Sequence, residues 1–235
     1  NEGLVSAKVR DEGQVGVMVE VNCETDFVAR TDDFQTFVEA IVRQVAENRA
    51  LDSVEALLEA PFIDNKNNTV AQELTETIAK LGENMQIRRL ARYQRQDGGL
   101  LDSYIHIGGR VGVLVEVAGG SANDSQFVEL VHDLALQIAA AAPQYMTAAE
   151  IPQDAAEAEK NIYRAQIAED KKPDEIKERI VEGKLKKWQS QVVLLQQEFV
   201  KDSNLTVEQL LNQHGKALGS KITVRRFDRF ELGAE

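Results

Sequence analysis

Leu4 to Arg10 (LVSAKVR) alternates apolar and polar positions, breaks at the polar run Asp11-Glu12-Gly13-Gln14, and resumes as VGVMVEV over Val15 to Val21. A period of two on both sides of a polar turn predicts two antiparallel strands. The pattern then lengthens. Phe34, Val38, Ile41, Val42 and Val45 fall at helical spacing, with Thr31, Asp32 and Asp33 as N-cap candidates for a helix running to about Arg49. A shorter helix is predicted over Val54 to Leu58, and the polar stretch Asp64 to Asn68 reads as a loop. A helix over Val70 to Leu81 stops at Gly82, a favoured C-cap residue, before a strand from Met85 to Gln94.

The same order then returns. Leu101 to Ile107 is a strand, Gly108-Gly109 a two-residue turn, and Arg110 to Val117 the return strand. Phe127, Val131, Leu134, Ala135 and Ile138 mark a helix from Asp124 to Ala141. A last helix, Val207 to Leu218, is flanked by Thr206 and Gly219, and a last strand covers Lys221 to Leu232. The repetition extends to residue identity. VGVMVEV at 15–21 is matched by VGVLVEV at 111–117, and LGENMQIRRLARY at 81–93 by LGSKITVRRFDRF at 218–230, an offset of 137. The expected fold class is α+β: two repeats of a small three-stranded antiparallel sheet with helices on one face.

The second copy is longer. Val45 to Leu81 spans 36 residues and Ile138 to Leu218 spans 80, so about 44 residues are added, over Pro152 to Val200. They read as a helical hairpin. Ala155 to Glu169 and Glu175 to Trp188 are helices, broken at Lys171 to Asp174, with Pro173 in the first turn of the second. Ala158, Ile162 and Ala165 would face Ile176, Ile180 and Trp188 in a small coiled-coil arm. The expected organisation is a first core module over 1–97, a second over 98–151 and 201–235, and the helical insertion over 152–200.

A formal charge of −12 opposes general nucleic-acid binding, which wants a basic face for phosphates. No apolar run is long enough to span a membrane. The single Cys23 excludes an internal disulfide, and three scattered histidines offer no metal-ligand spacing, so neither metal nor cofactor is expected. Nothing resembles a signal or transit peptide, and the opening Asn1-Glu2-Gly3, which runs almost directly into a strand, reads as a processed or excised fragment.

One segment does not read as scaffold. The first VGV strand is followed by Asn22-Cys23-Glu24-Thr25-Asp26-Phe27-Val28-Ala29-Arg30. The matching link in the second copy, Ala118 to Asp124 (AGGSAND), is bland and shorter. A Phe in a polar connection either tucks under its own helix or stands exposed as an anchor for a partner. Other chemistry is thinner. Glu24, Asp26, Asp32 and Asp33 are carboxylates a hydrolase could in principle pair, and they sit where a helix start favours acidic residues anyway. Arg88-Arg89 and Arg225-Arg226 are the best argument for an RNA-binding module, yet they occupy equivalent strand positions and look structural. A helical arm that dimerises an assembly protein is the third alternative.

VNCETDFVAR, SYIHIGGRVGVLVEV, LALQIAA, KLGENMQIRRL, IVEGKLKKW and LLQQEFVKD, together and in this order, resemble the elongation factor Ts family. The resemblance implies two repeats of a three-stranded α/β module with a coiled-coil insertion. It also implies a guanine-nucleotide exchange factor that is not an enzyme in the covalent sense, with elongation factor Tu as partner, no direct nucleic acid and no membrane. Thr25, Asp26, Phe27 and Val28 would form the contact that dislocates Mg²⁺ from elongation factor Tu, with His106, Gly108 and Gly109 placed against the same partner. His106 also reads as an ordinary strand residue. A homodimer or a two-to-two complex is a further assembly the resemblance allows. The implied compartment is the bacterial cytoplasm, or the plastid stroma or mitochondrial matrix. Family members normally begin with a small helical domain resembling a ubiquitin-associated fold, whereas this sequence opens on its first core strand.

Overall fold

The computed structural model describes residues 2–234. The chain runs β1 (Glu2–Arg10), β2 (Val15–Cys23), α1 (Asp26–Ala29), α2 (Asp32–Glu47), α3 (Val54–Glu59), β3 (Pro61–Phe62), β4 (Asn65–Thr69), α4 (Val70–Leu81) and β5 (Gln86–Gln94). It continues with β6 (Gly99–Ile105), β7 (Val111–Ala118), α5 (Ser125–Ala141), α6 (Gln153–Gln166), α7 (Asp174–Val192), β8 (Glu198–Phe199), β9 (Asp202–Thr206), α8 (Val207–Leu218) and β10 (Thr223–Glu231). Two compact units form: Asn1–Ala139 with Ser220–Glu235, and Ala140–Gly219.

The first unit holds two three-stranded antiparallel sheets, ordered β1-β2-β5 and β6-β7-β10. The central strand β2 is buried at all nine positions. Val15, Val17, Val19 and Val21 share a core with Phe34, Phe37, Val38, Ile41 and Val45 of α2. In the second sheet Val113, Val115 and Val117 are fully buried, and α5 is tied to that sheet by His132 on Asp102 and by Arg229 on the Ala139 carbonyl.

Helices cover one face of each sheet, as the alternation predicts; the other faces meet. Val5, Ala7, Met18, Ala91 and Tyr93 of the first sheet form one core with Leu101, Leu114 and Phe230 of the second. The Val-Gly-Val repeat explains how the sheets come so close. A Cβ on Gly16 would lie 2.6 Å from Leu114 Cδ1, and one on Gly112 would lie 2.5 Å from Val5 Cγ1 and 3.0 Å from Met18 Sδ. Glycine in a strand interior weakens the strand unless another element needs that space. Here each central strand uses its glycine to admit the large residue of the other.

Charge is buried on the same reciprocal plan. The ladder slips between Glu20 and Val21, leaving Arg88 as a bulge, and between Val224 and Arg226, leaving Arg225 as its counterpart. Each slip lets two consecutive arginines reach one carboxylate that is fully removed from solvent. Glu20 takes Arg89 Nε at 2.6 Å, Arg88 Nη1 at 3.3 Å, the Asn22 amide at 3.0 Å and the Gly233 N–H at 3.0 Å. Glu116 takes Arg226 Nε at 2.8 Å, Arg225 Nη1 at 3.7 Å and the Gln96 N–H at 2.7 Å. A buried carboxylate without such partners would cost several kcal/mol, on the order of 3–5. Burial pushes the Glu20 carboxyl up, but the Gly233, Asn22 and Arg89 bonds outweigh it and hold it below the usual range.

The arginines also cross between sheets. Arg89 lies 4.4 Å over the Phe230 ring and donates to the Glu231 carbonyl at 2.9 Å. Arg226 lies 4.1 Å over Tyr93 and donates to the Gln94 carbonyl at 2.7 Å. Residues 89, 93, 94 and 96 thus repeat at 226, 230, 231 and 233, the same offset of 137 found in the sequence. These basic pairs are structural, which removes the main argument for an RNA-binding module.

In the second unit α6 and α7 form an antiparallel pair, bridged by Arg164 to Glu178 at 3.0 Å and Lys160 to Glu182 at 3.1 Å. The expected stripe is corrected. Ala158, Ile162, Ala165 and Ile176 are exposed and Ile180 and Trp188 are half-buried, while α7 fully buries Val181, Leu185 and Val192. Sparse apolar residues on two short helices define more than one stripe, and burial selected the other. Pro173 sits at the N-cap of α7 rather than inside its first turn.

Three further boundaries differ. The polar Asp64 to Asn68 is not a plain loop: Asn65–Thr69 pairs with Pro61–Phe62 in a miniature hairpin. Glu198–Phe199 and Asp202–Thr206 repeat it at the same offset. Both hairpins feed a helix opened by a capping box, Thr69 with Gln72 and Thr206 with Gln209, and closed by a left-handed glycine. The turn after β6 is longer than the Gly-Gly pair, because β6 stops at Ile105 and the His106 N–H reaches the Val111 carbonyl across four residues.

Candidate functional site

β2 delivers the chain to a single helical turn, α1, fastened at both ends. The Thr25 hydroxyl accepts the Val28 N–H at 3.3 Å. It also donates to Glu83 Oε1 at 2.6 Å, and the Thr25 N–H donates to Glu83 Oε2 at 3.0 Å. Glu83 follows the cap of α4, so the end of one helix clamps the start of another. Downstream, the Thr31 hydroxyl donates to the Val28 carbonyl at 2.7 Å and accepts the Phe34 N–H at 3.3 Å, capping α2. Val28 and Ala29 turn into the core. Phe27 is left 78% exposed, which decides between the two readings of this residue: it stands out from the surface.

The neighbouring groups have ordinary roles. Asp26 pairs with Arg30 at 2.8 Å, Asp33 with Lys80 at 2.7 Å, and Glu24 Oε1 accepts the Asn84 N–H at 3.3 Å. The carboxylates a hydrolase would need are therefore spread among separate partners. Burial, then the Glu83 charge, pushes the Cys23 thiol up to about 11, and it donates to the Thr25 carbonyl at 3.1 Å. It remains a protonated, buried part of the platform.

The second predicted segment is the β6–β7 turn. The Gly109 N–H returns to the His106 carbonyl at 3.0 Å, with Gly108 at φ 86° and Gly109 at φ 67°. The Gly109 carbonyl accepts the Val5 N–H of β1 at 2.8 Å, fixing the turn to the first sheet, and Arg110 pairs with Glu2 at 2.8 Å. His106 is exposed, and its Nδ1 lies 3.1 Å from the Tyr104 hydroxyl.

The two segments, about 80 residues apart in sequence, meet at one cleft of about 490 Å³, lined by Glu2, Leu4, Asp26, Arg30, Gly108 and Arg110 among others. Of the seven predicted residues, Asp26 and Gly108 line this cleft, while Phe27 and His106 are exposed beside those lining residues. Thr25, Val28 and Gly109 hold the platform. Sequence reasoning missed Glu83, whose partner Thr25 lies 58 residues away and is visible only in the folded chain, and Tyr104, which sits two residues from His106.

A family model described as Elongation factor TS matches residues 24–234. Elongation factor Ts of Trichlorobacter lovleyi is 43% identical over 235 residues, covering 99% of this chain and 75% of that protein. The chain belongs to the elongation factor Ts family. The same name is carried by relatives from Nostoc punctiforme, 42% identical, and Clostridium novyi, 41% identical, each again aligned over 99% of this chain and 75% of the relative. Elongation factor Ts membership makes the chain a component of protein biosynthesis. The matched region takes in both exposed segments, the helical pair, the whole of the second sheet and, of the first, strand β5.

Proposed function

We propose that this chain binds elongation factor Tu and promotes release of GDP from it, with Phe27 as the wedge and Asp26 beside it. The observation that carries this reading is a large aromatic side chain, 78% exposed, on a helical turn pinned at both ends. Thr25 and Val28 hold that turn, and His106, Gly108 and Gly109 present a second contact across the cleft. No bond is made or broken in the chain itself. A partner that binds the nucleotide-free form better than the GDP form weakens GDP binding by the same factor. Burying a Phe side chain only in the open form supplies about 1.5–3 kcal/mol, or roughly a tenfold to hundredfold shift. Asp26 stands beside the wedge paired with Arg30 at 2.8 Å, and that pair has to open before its carboxylate acts on a phosphate or its Mg²⁺.

The named relatives are bacterial, which favours the bacterial cytoplasm over an organelle. Among the described residues no helix is long and apolar enough to cross a membrane.

Release of fluorescent GDP from elongation factor Tu tests the reading, with the wild-type chain and with Phe27→Ala. Acceleration that largely disappears in the variant is expected. Acceleration unchanged by Phe27→Ala keeps the exchange factor and removes the wedge; no acceleration by the wild type removes both.

A further inference from the structure

Six large apolar side chains are exposed among the described residues, and the two most exposed are Ile107 at 90% and Phe27 at 78%; the next, Ile162, reaches only 50%. Single exposed apolar residues need no explanation. These two do, because they flank the same cleft: Asp26 and Ala29 beside Phe27 line it, and so does Gly108 beside Ile107. Both are also carried on short, fixed protrusions. Phe27 sits on a turn capped by Thr25 and clamped by Glu83. Ile107 sits on a turn closed from Gly109 to His106 and bonded to β1 through Val5.

We propose that Ile107 is a second hydrophobic anchor for the partner GTPase, so that the chain grips with two apolar prongs, Phe27 and Ile107, flanking one polar cleft. This inference rests on the exchange-factor reading above. Preorganised apolar side chains suit this task, since little conformational freedom is lost when they enter a pocket. The cleft specifies what lies between the prongs. Its charges already pair internally, Glu2 with Arg110 and Asp26 with Arg30, so its walls call for no counter-charge. The complementary surface is therefore two apolar pockets separated by an uncharged polar ridge. A strongly basic or acidic segment does not fit that description.

The test is the affinity of the full chain for nucleotide-free elongation factor Tu, by titration calorimetry, alongside GDP release. Ile107→Ser is expected to weaken binding about tenfold or more, and Ile107→Met to keep most of the affinity. Val128→Ser, which alters another exposed apolar residue, is expected to stay within twofold. Unchanged melting of Ile107→Ser shows that the fold is intact, as exposure of this side chain predicts. If the wild type accelerates GDP release and Ile107→Ser binds within twofold of it, the second anchor is overturned while the exchange reading stands. If the wild type does not accelerate release, the reading fails and takes the anchor with it. Sedimentation supplies a last arm: a wild-type dimer abolished by Ile107→Ser would make a second copy the occupant and overturn the proposal.

Discussion

After β2 the chain passes through Glu24 to Thr31 before entering α2; after β7 it reaches α5 through Gly119 to Asp124. Both links leave a Val-rich central strand, buried throughout in β2 and at all but its two end residues in β7, and enter the helix that covers it. The first builds an extra helical turn, borrows Glu83 from another element to clamp it, and presents a naked Phe. The second makes an Asx-type cap, Asp124 Oδ1 accepting the Gln126 and Phe127 N–H groups, and presents nothing larger than Asn123. Everything beneath the links is reciprocal: glycine against Leu or Met, carboxylate against paired arginines, arginine against aromatic ring. Two equivalent frames with one elaborated link show that the specialised part is the part symmetry does not require.

Removing the buried carboxylates tests the frame most severely. Glu20→Ala and Glu116→Ala each leave paired arginines without their anion and should cost about 3–5 kcal/mol, read as a lower denaturant midpoint. Glu20 has the closer arginines and the additional Asn22, so its loss should be the larger of the two. Because the folded-state pKa of Glu20 is depressed, its contribution is present above the unfolded carboxylate pKa and lost as pH falls through the folded value. Wild-type stability should therefore decline on acidification, and Glu20→Ala should decline less steeply.

Next come the links. Phe27→Ala should lower exchange roughly tenfold to hundredfold with little change in melting, whereas Asn123→Ala, on the opposite link, should alter neither. Equal effects of the two would erase the distinction between them. The sheet contact should follow: Gly16→Ala and Gly112→Ala each overpack the shared core and should cost about 1–3 kcal/mol, similar to one another if the contact is reciprocal. The smallest effect belongs to the capping boxes. Thr69→Ala and Thr206→Ala should each cost about 1 kcal/mol, measured by thermal melts, and a large inequality would show that the repeated helices are not used alike.

The frame was legible where local chemistry repeats. Strand alternation, the capping residues of α4 and α8, and the offset of 137 located every long element to within a few residues. The joining of the two sheets was not legible, since alternation shows that a face is apolar and not what covers it. Nor does the sequence reveal the partners of Glu20 and Glu116, because the arginine bulges that bring Arg88, Arg89, Arg225 and Arg226 to them appear only in the paired ladders. The hairpin at 61–69 escaped because Asn65, Lys66, Asn67 and Asn68 carry no apolar face. For the site, residue identity and the family resemblance marked Thr25 to Val28, but only burial could settle whether Phe27 points in or out. Ile107 was absorbed into a predicted strand, and its exposure follows from where β6 stops.

The pairing of β10 with β7 has a consequence during synthesis. The first sheet is complete once residue 94 is available, because β1, β2 and β5 lie within one stretch of chain. The second must wait for residues 223–231. At about 5–20 residues per second, the 104 residues between Ala118 and Thr223 take roughly 5–20 s to translate. Throughout that interval β7 has one open edge, and Glu20 lacks the Gly233 N–H that completes its shell. The nascent chain thus carries its finished Phe27 turn before the frame that supports it has closed, a window in which an unpaired strand edge is open to the wrong neighbour.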